Sequence, residues 1–110
     1  MALDKIYAQL SCTDLAASSR WFGTVFGREP DELPMQGLAE WHHGTAGFQL
    51  FQGENAGRGT LTLIVIGLQA EHRRLTEAGL RPGAIEPADY VNIVRLRDPD
   101  DNLVVLAEAK

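Results

Sequence analysis

Two stretches of the sequence follow one plan. Ile6 to Gly27 reads as an alternating strand, IYAQLS, a turn at Thr13-Asp14-Leu15, and an apolar helical stripe ending in Phe26-Gly27. Leu61 to Gly79 repeats it with LTLIVIG, a turn at Gly67-Leu68, and a helical stripe ending in Ala78-Gly79. Leu15 and Leu68 hold matching places, 53 residues apart in a chain of 110. A repeat of about half the chain requires two similar modules that bury their apolar faces together. The order read from the sequence is βαβββ, twice. The expected fold is α+β: a curved mixed sheet with helices on its outer face and a concave cleft. Residues 1–110 are expected to form one domain, with repeats of about 1–55 and 56–110.

The local signals agree with that plan. Ile6, Ala8 and Leu10 alternate with Tyr7, Gln9 and Ser11, so aliphatic and polar residues take opposite faces of a strand. Asp14 is placed to cap the following helix by accepting from its first-turn N–H groups. Leu15, Trp21, Phe22, Val25 and Phe26 fall at helical spacing, and Gly27 and Pro30 end the helix. Arg28 to Gly37, with two prolines and three acids, reads as a loop. Leu38 to His43 and Gly47 to Phe51 suit a hairpin, and Gln52 to Gly59 a connector. In the second copy Leu61, Leu63 and Val65 form the aliphatic face opposite Thr60, Thr62 and Ile64. A helix over roughly Gln69 to Ala78 follows, then a loop from Arg81 to Asp89. Strands over Tyr90 to Arg97 and Leu103 to Leu106 flank the turn Asp98-Pro99-Asp100-Asp101. With helices on one side of each sheet, the more polar side is free to form a cleft for a small ligand.

Composition narrows the partners. The net charge is −5 and the longest basic run is Arg73-Arg74, so the concentrated basic face that nucleic acid needs is missing. An acidic chain is compatible with a cationic ligand. Cys12 is the single cysteine, which rules out an intrachain disulfide and points to a reducing, cytoplasmic setting. The start, MALDKIYAQL, has no apolar signal core, and apolar runs such as Leu63 to Ile66 are far too short to cross a bilayer. No membrane association is expected.

Two motifs carry a family resemblance. Thr13-Asp14-Leu15, then Ser19-Arg20-Trp21-Phe22 and Phe26-Gly27, resembles the opening of the vicinal oxygen chelate superfamily of glyoxalases, bleomycin-resistance proteins and extradiol dioxygenases. There, Asp-Leu starts a helix that carries an aromatic pair and closes at Leu/Phe-Gly. Asp98-Pro99-Asp100-Asp101-Asn102-Leu103 is similar to that superfamily's penultimate turn, usually Asp-Pro-Asp-Gly-Asn before apolar residues. The resemblance spans essentially the whole chain. Asp101 departs from it, standing where Gly would adopt a left-handed backbone at less cost.

The larger departure concerns metal. Metal-dependent members hold a divalent ion with His, Gln or Glu from the first and last strands of each module. The resemblance places Tyr7, Gln49, Thr60 and Val105 at those positions. They supply no ionised carboxylate and no imidazole, whereas a divalent cation needs about three good donors. No metal and no cofactor is expected. His42 and His43 are adjacent on a strand and point to opposite faces, so they cannot chelate one ion together. His72 reads as structural, Cys12 as a small buried residue, and Asp98, Asp100 and Asp101 as turn formers.

The remaining ligand-binding candidates are Tyr7, Gln9, Trp41, Gln49, Phe51, Thr60 and Thr62, with Tyr90 and Asn92 as additions from the second copy. Aromatic area with amides and hydroxyls suits an aromatic or heterocyclic small molecule. Trp41 has an equal claim as filler of the core or of a dimer interface. No catalytic residue is assigned. The resemblance favours a small-molecule-binding protein without metal chemistry, sequestering a drug or metabolite as in the bleomycin-resistance branch. The alternatives are a metal-dependent lyase, isomerase or dioxygenase of the same superfamily, its site using His42 or His43 across a subunit interface, and a degenerate scaffold module. A homodimer is expected, because duplicated modules of this family complete their clefts by pairing and a small core gains from added burial.

Overall fold

In the first half of the chain β1 (Ile6–Cys12) leads into α1 (Leu15–Phe26), β2 (Glu32–Met35), β3 (Leu38–His43) and β4 (Ala46–Gln52). The second half repeats the order with β5 (Thr60–Ile64), α2 (Leu68–Glu77), β6 (Glu86–Pro87), β7 (Val91–Arg97) and β8 (Leu103–Ala109). This computed structural model describes all residues from Met1 to Lys110. The strands form two four-stranded sheets, β1-β4-β3-β2 and β5-β8-β7-β6. Both are mixed. Each first strand pairs parallel with the last strand of its module, and the other pairings are antiparallel. The architecture is the expected α+β one, two similar modules with helices packed on one face of each sheet.

Two short strands correct the reading of the loops. Arg28 to Gly37 is not all loop, because β2 forms inside it with Glu32 opposite Glu40. Likewise β6 forms inside the Arg81–Asp89 segment, with Glu86 opposite Ile93. Both are the outermost strands of their sheets, and each holds a proline, Pro34 or Pro87. An edge tolerates proline because one side of the strand needs no N–H donor. That is why composition hid them.

The apolar stripe of α1 seats Phe22 against Phe48, with ring centroids 4.8 Å apart, and Phe26 against Trp41 at 5.5 Å. Leu68 and Leu75 of α2 are buried with Val94, Leu96, Val104 and Leu106 of the second sheet. Both sets belong to one continuous core, which also contains Leu10 and Leu50. Asp14 caps α1 as expected, accepting from Ala17 N at 3.1 Å, and Gly27 closes it with φ 75°.

Matching residues also tie each helix start to its own sheet. Gln52, at the end of β4, accepts from Leu15 N at 3.0 Å. Glu108, near the end of β8, accepts from Gly67 N at 2.6 Å and Leu68 N at 3.0 Å. The α2 start has no side-chain cap of its own, so Glu108 supplies it. These N–H groups hold the Glu108 carboxyl below its usual range, that of Gly67 first.

The modules are joined at two places. Arg74 of α2 donates to Thr24 O and Val25 O at 2.7 and 2.8 Å, meeting the free carbonyls at the end of α1. At the β7–β8 turn, fully buried Asn102 donates to Ser11 O of β1 and accepts from Gly57 N and Gly59 N of the connector. Its amide also donates to Asp98, while Asp100 receives the N–H and hydroxyl of Thr13. A Cβ on Gly59 would lie 2.3 Å from Leu10 Cδ2, so the connector's close approach to β1 leaves no room for one unless the Leu10 side chain moves.

The turn yields two opposite expectations. Asn102→Ala strands three part-buried backbone partners and should lower unfolding free energy by about 2–4 kcal/mol. Asp101 sits at φ 74°. Asp101→Gly removes that strain and should raise stability by roughly 0.5–1 kcal/mol. Urea denaturation of both variants measures each, and a neutral Asn102→Ala would break the account of how the modules are joined.

Candidate functional site

Strand register gathers one polar set on the helix-free face of the first sheet. Gln9 of β1 pairs with Gln49 of β4, which in turn pairs with Glu40 of β3. Their side chains form a chain of hydrogen bonds. Gln9 Nε2 donates to Gln49 Oε1 at 3.0 Å, and Gln49 Nε2 donates to Glu40 Oε2 at 2.7 Å. His42 Nε2 lies 3.0 Å from the other oxygen, Glu40 Oε1. Glu40 is only 8% exposed, and its hydrogen bonds to His42 first and Gln49 second hold its carboxyl below the usual range. A shielded carboxylate that stays ionised is the electrostatic centre of this face.

Tyr7 is fixed by a gap in the neighbouring strand. It pairs with Gly47, where a Cβ would fall 2.5 Å from Tyr7 Cε1. The ring therefore leans over Gly47 and meets His42 edge-on, with centroids 6.1 Å apart. Of the two adjacent histidines, His42 is the one on this face. Phe51, two residues beyond Gln49 on β4, shares the face and is half-buried.

The other expected residues fall elsewhere. Trp41 points to the helix side, is 1% exposed, and donates its indole N–H to Arg28 O at 3.0 Å. Its place on β3 between Glu40 and His42 forces this, since neighbours on a strand take opposite faces. It does not join Tyr7 and Gln49. Thr60 and Thr62 lie exposed on the second sheet, paired with Leu103 and Val105, and make no side-chain hydrogen bond to the first set. Asn92 pairs with Glu108 on the helix side, and Tyr90 is outside the strand and 85% exposed. His72 contacts Gly83 O at 2.9 Å, a structural contact within its module.

Glu40 escaped the sequence reading. Its signal was the alternation Leu38, Glu40, His42, which places a carboxylate and an imidazole on one strand face.

The donor set does not fit the superfamily's usual metal. Of Tyr7, Gln49, Thr60 and Val105, only Gln49 offers an amide oxygen of the expected kind, and that oxygen already accepts from Gln9. Cys12 is no nucleophile. It is fully buried, and burial, with the Asp100 charge next, pushes its thiol up to about 11.

An apolar groove of about 700 Å³ lies between the modules, lined by residues including Ile6, Phe26, Trp41, Phe48, Leu61 and Ile64. It draws on the helix-facing side of the first sheet and on β5. It shares His42 and Gly47 with the polar face, whereas Gln9, Gln49 and Glu40 do not line it.

Comparison with solved structures fixes the fold. A glyoxalase/bleomycin resistance protein from Catenulispora acidiphila DSM 44928 matches with TM-score 0.87 and 27% identity, over 96% of this chain and 98% of that one. TnmS3, an antibiotic-binding protein from Streptomyces sp. CB03234, matches with TM-score 0.86 and 16% identity, over 100% and 99% of the two chains. Lactoylglutathione lyase from Agrobacterium tumefaciens matches with TM-score 0.77 and 20% identity, over 94% and 91%. No protein-family model matches the sequence, and neither does any curated protein. The chain has the vicinal oxygen chelate fold.

Two measurements check this site. Native Cys12 should resist a thiol reagent at pH 8 and react fully only on denaturation; rapid native labelling would contradict its burial. Glu40 has a folded pKa below its unfolded value, so its contribution to stability is present above the unfolded value, near 4.5, and is lost as pH falls through the lower one. Glu40→Gln should therefore flatten this part of the acid limb in a pH series of thermal melts. An unchanged acid limb would mean that Glu40 is not held as described.

Proposed function

We propose that this protein binds a small molecule on the concave face of its first sheet and sequesters a drug or metabolite. The observation that carries this is the Gln9–Gln49–Glu40–His42 chain beside Tyr7 and Phe51. It offers fixed polar groups and aromatic surface without the carboxylate and imidazole ligands at the superfamily's metal positions. Similarity to an antibiotic-binding protein and to a bleomycin-resistance-type protein supports the same reading. Aromatic rings with an ionised, shielded carboxylate suit an aromatic, cationic ligand. Thr62, which borders the groove together with His42, would meet it from the second sheet.

We also propose a homodimer in the cytoplasm. Ile6, Ile64 and Ile66 are 60%, 75% and 96% exposed along the groove between the modules, apolar surface that a second copy would cover. The single buried cysteine suits a reducing compartment. An enzymatic reading rests on the Glu40–His42 pair, an acid–base couple on the same face. It calls for turnover by a lyase, isomerase or dioxygenase route.

The binding reading is tested by screening small aromatic cations for a thermal shift and then comparing two neighbours. Gln49→Leu should cost about 1–3 kcal/mol of ligand affinity by removing a polar partner. Its stability should fall by about 1–2 kcal/mol, because Glu40 loses a donor. Fully buried Leu50, changed to Ala, should cost about 2–5 kcal/mol of stability. Ligand affinity untouched by Gln49→Leu would move the site off this face. Light scattering that gives a monomer mass at micromolar concentration would end the dimer proposal.

A further inference from the structure

Glu32, Glu40 and His42 converge at the β2–β3 end of the polar face. One ligand atom from each lies within 4.8 Å of the others. Backbone pairing puts the two glutamates directly opposite each other, and His42 follows Glu40 on the same strand face. Like charges directly opposed across a strand pair are destabilising. No lysine or arginine forms an ion pair with either carboxylate; the one ionic partner of Glu40 is His42. Two carboxylates therefore face each other with an imidazole beside them, and Lys5 acts on Glu40 through its charge without forming an ion pair.

We propose that Glu32, Glu40 and His42 form a binding site for a divalent first-row transition-metal ion such as Zn²⁺, separate from the positions where relatives of this fold hold their metal. His42 Nε2 and Glu40 Oε1 are 3.0 Å apart. Bonds of about 2.1 Å at the tetrahedral angle place two ligand atoms about 3.4 Å apart, so this pair needs to open by only a few tenths of an ångström to flank one ion. Binding replaces the hydrogen bond between them with two metal bonds: the Nε2 proton passes to solvent while Nδ1 carries the remaining N–H, and the freed Nε2 lone pair takes the ion. Gln49 still donates to Glu40 Oε2 and orients that carboxylate, the kind of supporting hydrogen bond that metal ligands keep.

The third ligand needs the least rearrangement of the fold. Glu32 is exposed, and its side chain can swing inward without disturbing the core. The backbone beneath is already tied. Asp31 accepts from His42 N at 2.6 Å and its own N–H donates to Glu40 O at 2.7 Å. One imidazole with two carboxylates suits Zn²⁺ or its first-row neighbours better than Mg²⁺, which keeps its waters and prefers oxygen.

Calorimetric titration of chelator-treated protein with Zn²⁺, and with Mg²⁺ as control, tests the site. One Zn²⁺ per chain should bind, and Mg²⁺ should bind far more weakly. Glu32→Gln and His42→Gln should each weaken Zn²⁺ by about tenfold or more. His43→Gln, on the opposite face, should leave it unchanged. Glu32 is exposed, so Glu32→Gln should keep the wild-type circular dichroism and stand alone should His42→Gln misfold. Absence of Zn²⁺ binding, or wild-type affinity in Glu32→Gln, overturns the proposal. So does a loss of binding on His43→Gln with none on His42→Gln.

Discussion

A polar knot shut off from water holds the two modules in register. Asn102 is fully buried, and each end of its amide is committed, the oxygen to Gly57 and Gly59 and the nitrogen to Ser11 and Asp98. Buried groups of this kind cost much when unpaired and stabilise modestly when paired, so the knot works more by excluding other arrangements than by adding net energy. It fixes where β1 ends, where the connector runs and where β8 begins. The faces of β1, β4 and β3 then follow by alternation, and with them the meeting of Gln9, Gln49, Glu40 and His42.

The site is a consequence of pairing rather than of sequence proximity. Gln9 and Gln49 are distant in the chain but adjacent across the parallel β1–β4 ladder. Glu40 joins them through the antiparallel β3–β4 hairpin. A one-residue slip in either ladder would send the whole set to the helix side and bring Trp41 or Leu50 to the surface. The aromatic packing of Phe22, Phe26, Trp41 and Phe48 therefore protects the polar face indirectly, by making such a slip expose large apolar rings.

Much of the fold was legible in the sequence because it is written in periodicities. The alternation of Ile6 to Ser11, the stripe from Leu15 to Phe26 and the repeat at Leu68 each encode an element and a face. The short strands β2 and β6 were not legible, because their residues are polar or proline-containing and form strands only through an edge that a neighbour offers. The common strand face of Tyr7, Gln9, Gln49 and Phe51 was readable from alternation. Trp41 takes the opposite face, where it packs in the core and borders the groove between the modules; its aromatic character alone suited either face. Glu40 was overlooked because an isolated acid on a strand looks like solvent-facing decoration until its partners from another strand are known.

The matched ties of Gln52 and Glu108 show how the two copies have diverged. The same geometric job, holding a helix start to the end of its sheet, is done by a neutral amide in one copy and by an anion in the other. An amide does not titrate, so α1 keeps this anchor at any acidity the fold survives. A carboxylate releases its grip once protonated, and because the helix N–H groups draw its pKa down, that release waits for acidity beyond the ordinary range of glutamate. The duplicated halves thus differ in how they come apart: in acid, the second module loses the hold on its helix while the first retains it.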